Sequence, residues 1–166
     1  MARVDIRILG PEDREALEAF LLPRLESSMF LIGNVRAAGL EDRGERFQGT
    51  YAAAFKAGAA GVPSEMAGVA AHYWNGMLVL QAPAHLPAVC RAAVDASGRR
   101  LSGLIGPDEQ VLAARRVLGV VLVGVVRVDR VGHVGRHQQR ARHGARQTLG
   151  RPTLEARDGA LEGVVE

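Results

Sequence analysis

The sequence predicts an α/β fold: a mixed, mainly antiparallel sheet flanked by helices, followed by an irregular basic carboxy-terminal tail. Three observations carry this. Val69-Ala70-Ala71-His72-Tyr73-Trp74 and Met77-Leu78-Val79-Leu80 are apolar runs on either side of Asn75-Gly76, the strongest short-range signal for a β-hairpin. Strand-like and helix-like segments are arranged around that hairpin in the order β-α-α-β-β-β-α-β-α. After Gly119 both periods fade, and valine, glycine and arginine take over.

Val4, Ile6 and Ile8 alternate with Arg3, Asp5 and Arg7, the period of a strand with one buried face. Gly10-Pro11-Glu12-Asp13 opens a helix, since proline is tolerated in a first turn and acids suit the amino-terminal end of the dipole. Leu17, Phe20 and Leu21 form its stripe and Pro23 limits it. Ser27-Ser28 is expected to cap a second helix carrying Leu31, Ile32, Val35 and Ala38, with Gly39 as its stop. Glu41 to Arg46 reads as charged loop, Phe47 to Phe55 as a strand, and Lys56 to Glu65 as a glycine-rich connection.

The hairpin follows, with a type I′ turn expected at Asn75-Gly76 because those residues reach positive φ at least cost. Pro87 opens a third helix with Val89, Ala93 and Ala96 on one face, ended by Ser97-Gly98. Leu101 to Ile105 reads as a short strand. Gly106-Pro107-Asp108-Glu109 repeats the helix-start signal for a fourth helix, with Val111, Ala114 and Leu118 as its stripe and Gly119 as its stop. One further strand is expected within Val120 to Val128. The organisation is thus an ordered domain over 1–119 and a basic, disordered tail over 120–166.

At 166 residues the chain is long enough for a true core. All of its aromatics (Phe20, Phe30, Phe47, Tyr51, Phe55, Tyr73, Trp74) precede residue 75, so the rest lacks the side chains that bury most area. Of 21 basic residues eight lie after Gly119, against five of 18 acids. The body is neutral and the net charge of +3 belongs to the tail. Chain-wide basicity therefore does not point to nucleic acid. The tail arginines could meet phosphates, but no aromatics are interleaved with them and no binding module is recognisable. Arg, Gly, Ala, Val and His share GC-rich codons, so a shifted reading frame would explain the basic excess, the lost aromatics and the lost periodicity together.

Cys90 is the single cysteine, which excludes an internal disulfide and fits a reducing compartment. Met1 to Asp5 holds no apolar signal core. The longest apolar run, Val117 to Val126, has ten residues between arginines, too few to cross a bilayer. The expectation is a soluble, cytoplasmic protein with no membrane or nucleic-acid partner.

Gln48-Gly49-Thr50-Tyr51, the run Val69 to Gly76, and Leu104-Ile105-Gly106-Pro107 through Ala113 to Gly119 resemble the amino-terminal half of bacterial proteins built from two units of the GNAT superfamily. These are acyl-CoA-dependent N-acetyltransferases, and the element order is similar to theirs. The resemblance covers Arg3 to Gly119 and implies a GNAT-like domain with acetyl-CoA as cosubstrate. Leu78, Val79 and Leu80 would then offer backbone groups to the pantetheine arm.

The family's diphosphate turn, Gln/Arg-x-x-Gly-x-Gly/Ala, falls on Gln81-Ala82-Pro83-Ala84-His85-Leu86. Gln81 matches, Ala84 and Leu86 stand at the small-residue positions, and Pro83 removes one N–H donor. The family's proton-donating tyrosine falls on Arg115, and the residue after the terminal glycine is Val120.

His72 and Tyr73 are the candidate catalytic residues, and Asp95 is a further source of proton chemistry. Successive strand residues face opposite ways, so one of His72 and Tyr73 is expected in the core and the other on a cleft or in solvent. A histidine near pH 7 can act as a base; the plainer reading is a strand histidine with its hydrogen bonds satisfied. His85 at a helix start could meet an anion or simply be a polar turn residue. Trp74 could cover a ligand or the core. Cys90 has apolar neighbours that favour packing over nucleophilic use. His133, His137 and His143 have no cysteine or carboxylate at ligand spacing, so no metal is expected.

Two functions follow. One is a GNAT-type N-acetyltransferase moving acetyl from acetyl-CoA to a small-molecule or peptide amine. The other is a truncated, non-catalytic GNAT-like half that packs on, or assists, a catalytic unit, with a second GNAT unit or a second copy of itself as partner.

Overall fold

The computed structural model describes residues 4–56 and 64–119, and the strands 124–128 and 134–136 as backbone. Strand β1 (Val4–Ile8) leads into α1 (Arg14–Leu21) and α2 (Leu25–Ala38), joined by a short 3-10 turn that holds Pro23. Then come β2 (Gly49–Lys56), β3 (Glu65–Tyr73), β4 (Met77–Gln81), α3 (Leu86–Ser97), β5 (Gly103–Pro107), α4 (Asp108–Leu118), β6 (Gly124–Val128) and β7 (Val134–Arg136).

The strands lie side by side in chain order. Pairing is antiparallel from β1 to β4 and again between β6 and β7. It is parallel for β4/β5 and β5/β6, the pairs whose connections contain α3 and α4, as a parallel crossover requires. The architecture is thus α/β with a mainly antiparallel sheet and helices on it, as the sequence predicts. The strand expected within Val120 to Val128 is β6. β7 lies in the stretch expected to be irregular, and its pairing with β6 rather than any side-chain alternation defines it. The Lys56–Glu65 connection over 57–63 and the tail over 137–166 lie outside the described residues.

Both faces of the central strands are covered. Tyr51, Ala53, Phe55, Val69, Ala71 and Tyr73 pack with Leu17, Leu21, Leu31 and Val35 of α1 and α2. Ala52, Ala54, Ala70, Leu78 and Leu80 pack with Val89, Cys90, Ala93 and Val111 of α3 and α4. Alanines fill much of the second layer, so the cores differ in side-chain size. Large aromatics occupy only the first.

Several boundaries differ from the sequence reading. α2 starts at Leu25, so Ser27 and Ser28 sit inside it rather than capping it. Ser27 Oγ donates to Gln81 Oε1 at 2.8 Å across the sheet end, a tertiary partner that local spacing does not reveal. Phe47 adopts φ +69 in the loop and β2 begins two residues later, because Phe47 turns to meet the edge of Trp74 at 5.3 Å. β5 runs Gly103–Pro107, not Leu101 to Ile105, and passes straight into α4.

The hairpin turn is not type I′. Tyr73 O accepts from Gly76 N at 2.9 Å, Gly76 alone of the turn pair has positive φ, at +77, and Trp74 joins Asn75 and Gly76 in a three-residue loop. Asn75 instead uses its side chain, Oδ1 accepting from Met77 N at 3.1 Å. The approach of β5 holds the loop in this form, with Ser102 N donating to Gly76 O and Ser102 Oγ to Asn75 O, each at 2.8 Å.

Candidate functional site

The expected ligand turn joins β4 to α3. Leu78 and Val79 have register partners on both sides, in β3 and in β5, so the ladder engages their backbone along both edges. Beyond them the two parallel strands stay together. A Cβ built on Gly106 would stand 2.9 Å from both the carbonyl oxygen and the Cβ of Leu80. Only glycine permits that approach, and it leaves no slot between β4 and β5 for an extended ligand arm.

The turn itself is committed to the protein. Gln81 is buried, holding Ser27. Ala82 N donates to Gln110 Oε1 of α4 at 2.7 Å. Pro83 and Pro87 have no N–H, and Ala88 N is taken by His85 O at 3.0 Å. The remaining amides of the turn are those of Ala84, His85 and Leu86. His85 is the helix N-cap at φ +57, exposed, while the Leu86 side chain is buried among α3 and α4 residues. A glycine-lined anion cradle offers several convergent N–H groups; here two positions are prolines and the Ala82 amide is already bonded, which leaves fewer donors for a diphosphate.

His72 and Tyr73 are both buried, which corrects the expectation that one of them faces a cleft or solvent. Helices cover both sheet faces, so alternation sends the two side chains into two cores. His72 Nε2 donates to Gly76 O at 3.2 Å, which fixes the tautomer and makes Nδ1 the acceptor for Ser97 Oγ at 2.6 Å. Burial pushes its pKa down and the Arg99 charge adds to this, outweighing the Gly76 bond and the Asp42 charge. A neutral imidazole with both nitrogens satisfied is the plainer of the two readings the sequence leaves open.

Tyr73 and Tyr51 share a hydroxyl–hydroxyl bond of 2.7 Å, and Tyr73 also bonds Asn34. Burial raises both phenol pKa values. Asp95 is on α3 and exposed. Trp74 packs against the α1/α2 core, and Cys90 is buried with its thiol pushed up to about 12 by desolvation.

The polar cluster that local sequence reasoning missed joins Asp42, Thr50, His72 and Arg99. Arg99 forms a forked pair with Asp42, one arm at 2.7 Å, and also donates to His72 O at 3.2 Å. Thr50 Oγ1 donates to Asp42 at 2.6 Å. Burial alone would raise the Asp42 pKa; the bonds from Arg99, Thr50 and Gly44 prevail and lower it. Asp42 and Arg99 are 57 residues apart, so no spacing pattern announces them. The motif Gln48-Gly49-Thr50-Tyr51 is likewise structural: Gln48 Oε1 accepts from Arg43 N and Glu45 N, and Gly49 lies against the Tyr73 ring.

Two surface cavities flank α1. One of about 530 Å³ is lined by Pro11, Arg14, Glu15 and Leu22; the other, about 360 Å³, by Phe20, Arg24, Ser64 and Glu65. Neither includes a residue from Leu78 to Leu86. Among the described residues no cluster of His, Cys, Asp or Glu could hold a metal ion, and no helix is long and apolar enough to cross a membrane. No family model, curated protein or solved structure matches this chain.

Proposed function

We propose that this chain is a non-catalytic GNAT-like unit that packs on, or assists, a catalytic acetyltransferase unit. The observation that carries the reading is the 2.7 Å bond from Ala82 N to Gln110 Oε1, made where a diphosphate would need that amide. The contact of Gly106 with Leu80 supports it by closing the gap between the parallel strands. So does the burial of His72 and Tyr73, which keeps both from protonating a departing thiolate.

Acetyl transfer by this chain itself, from acetyl-CoA to an amine, is the second reading. What favours it is the parallel β4/β5 pair with α3 starting directly beyond the β4 turn. Calorimetric titration with acetyl-CoA separates the two. The non-catalytic reading expects no binding heat at millimolar ligand and no thermal shift; saturable binding at micromolar ligand, with thiol release in the presence of an amine, would overturn it.

A further inference from the structure

We propose that the outer face of α2 is a homodimer interface, in which two α2 helices pack antiparallel across a two-fold axis. The inner face of α2 is spent on the core through Ser28, Leu31, Ile32 and Val35. Its outer face is apolar as well. Leu25 is 49% exposed, Met29 55% and Phe30 43%, and Leu22 in the preceding turn is 48% exposed. Leu22, Leu25 and Met29 recur at the spacing of one helix face. Of the seven exposed large hydrophobics among the described residues, four lie in this segment, so they form a patch rather than a scatter. Large apolar side chains on the solvent side of a helix whose other side already faces the core call for a second cover.

The pattern along this face is complementary to itself. Met29 and Gly33 stand two residues either side of Leu31; Glu26 and Arg36 stand five either side. A two-fold axis at the level of Leu31 brings Met29 level with the partner's Gly33, and Glu26 level with the partner's Arg36. Gly33 is exposed, and a Cβ there would meet nothing within 4 Å, so the partner's Met29 finds open space. Glu26 and Arg36 are both exposed. Arg36 already reaches Glu18 through two nitrogens, and a guanidinium carries five N–H donors. An unrelated partner would ask only that the face be apolar. Large against small and acid against base, reciprocal about one level, is what an isologous contact requires.

α2 has 14 residues and is about 21 Å long. One such helix pair covers less than the roughly 800 Å² per partner of a standard interface, so the dimer is weak and forms with rising concentration. The face is separate from the β4–α3 turn, so this inference and the functional reading fail independently.

Sedimentation of the whole chain from about 1 μM to about 1 mM tests it. The mass is expected to rise from one copy to two. Met29→Asp should weaken association at least about tenfold with the circular dichroism unchanged, and Glu26→Arg should weaken it less, about threefold. Cross-linking guards against a variant that misfolds. A Met29→Cys chain mixed with a Gly33→Cys chain should form a disulfide-linked pair, whereas Leu22→Cys with itself should not. A chain that stays a single copy throughout, or a dimer that neither substitution weakens, overturns the proposal.

Discussion

Gln110 Oε1 accepts the main-chain N–H of Ala82 at 2.7 Å, tying α4 to the end of β4. Ala82 is buried, so its amide depends on that side chain. Gln110→Ala is expected to destabilise the fold by about 1–3 kcal/mol, the cost of a buried donor left unmade. Urea unfolding measures it. An unchanged midpoint would mean that water reaches the amide.

His72 should make stability fall on mild acidification. Its folded pKa lies below the ordinary 6.5, burial being the first cause, so below that value the unfolded chain binds the extra proton. Its contribution is complete above about pH 6.5 and declines as pH drops through 6.5 toward the folded value. Urea midpoints from pH 7.5 downward, compared with His72→Gln, should show that part of the slope flatten in the variant. Parallel curves would assign the slope to other groups.

Asp42→Ala leaves Arg99 facing the His72 carbonyl without its carboxylate. With side chains only 14% and 23% exposed, the expected loss is about 3 kcal/mol, the low end for a broken buried pair. Arg99→Lys keeps the charge but not the fork, and should cost about 1 kcal/mol. The Asp42 pKa is lowered from 3.8, so the wild-type advantage over Asp42→Ala should hold at neutral pH and shrink as pH falls through 3.8 and below. Thermal melts of the three proteins across pH test both statements.

Tyr73→Phe strips the Tyr51 hydroxyl of its 2.7 Å partner inside the core, an expected loss of about 1–3 kcal/mol. Tyr51→Phe leaves Tyr73 with Asn34 and should cost about 1 kcal/mol or less. The order of the two midpoints is the readout, and equal losses would deny Asn34 a role.

Cys90 should be inert to a thiol reagent in the folded chain at neutral pH, since burial raises its pKa to about 12, and should react only on unfolding. Labelling rates should therefore follow the unfolding equilibrium with urea. Rapid native-state labelling would contradict the burial.

Much of the fold is legible locally. Gly98 and Gly119 end α3 and α4 at φ +62, Pro23 lies at the break between α1 and α2, and alternation along Val4–Ile8 gives a strand. Each is decided by residues within a turn of one another. The candidate site is far less legible. The residues named for it lie where the sequence places them, on β3, on β4 and in the turn beyond, but what they touch comes from elsewhere in the chain. Gln81 meets Ser27, Ala82 meets Gln110, and His72 meets Ser97.

Taken alone, the order of residues determined the succession of strands and helices, because hydrophobic period, proline and glycine act over a few neighbours. Tertiary packing decided that His72 and Tyr73 are both enclosed, since only the second helix layer removes the open face a lone strand would keep. It also decided which amides of the β4–α3 turn are engaged. A hydrogen bond between residues 28 positions apart depends on where α4 comes to rest, and no local pattern encodes that.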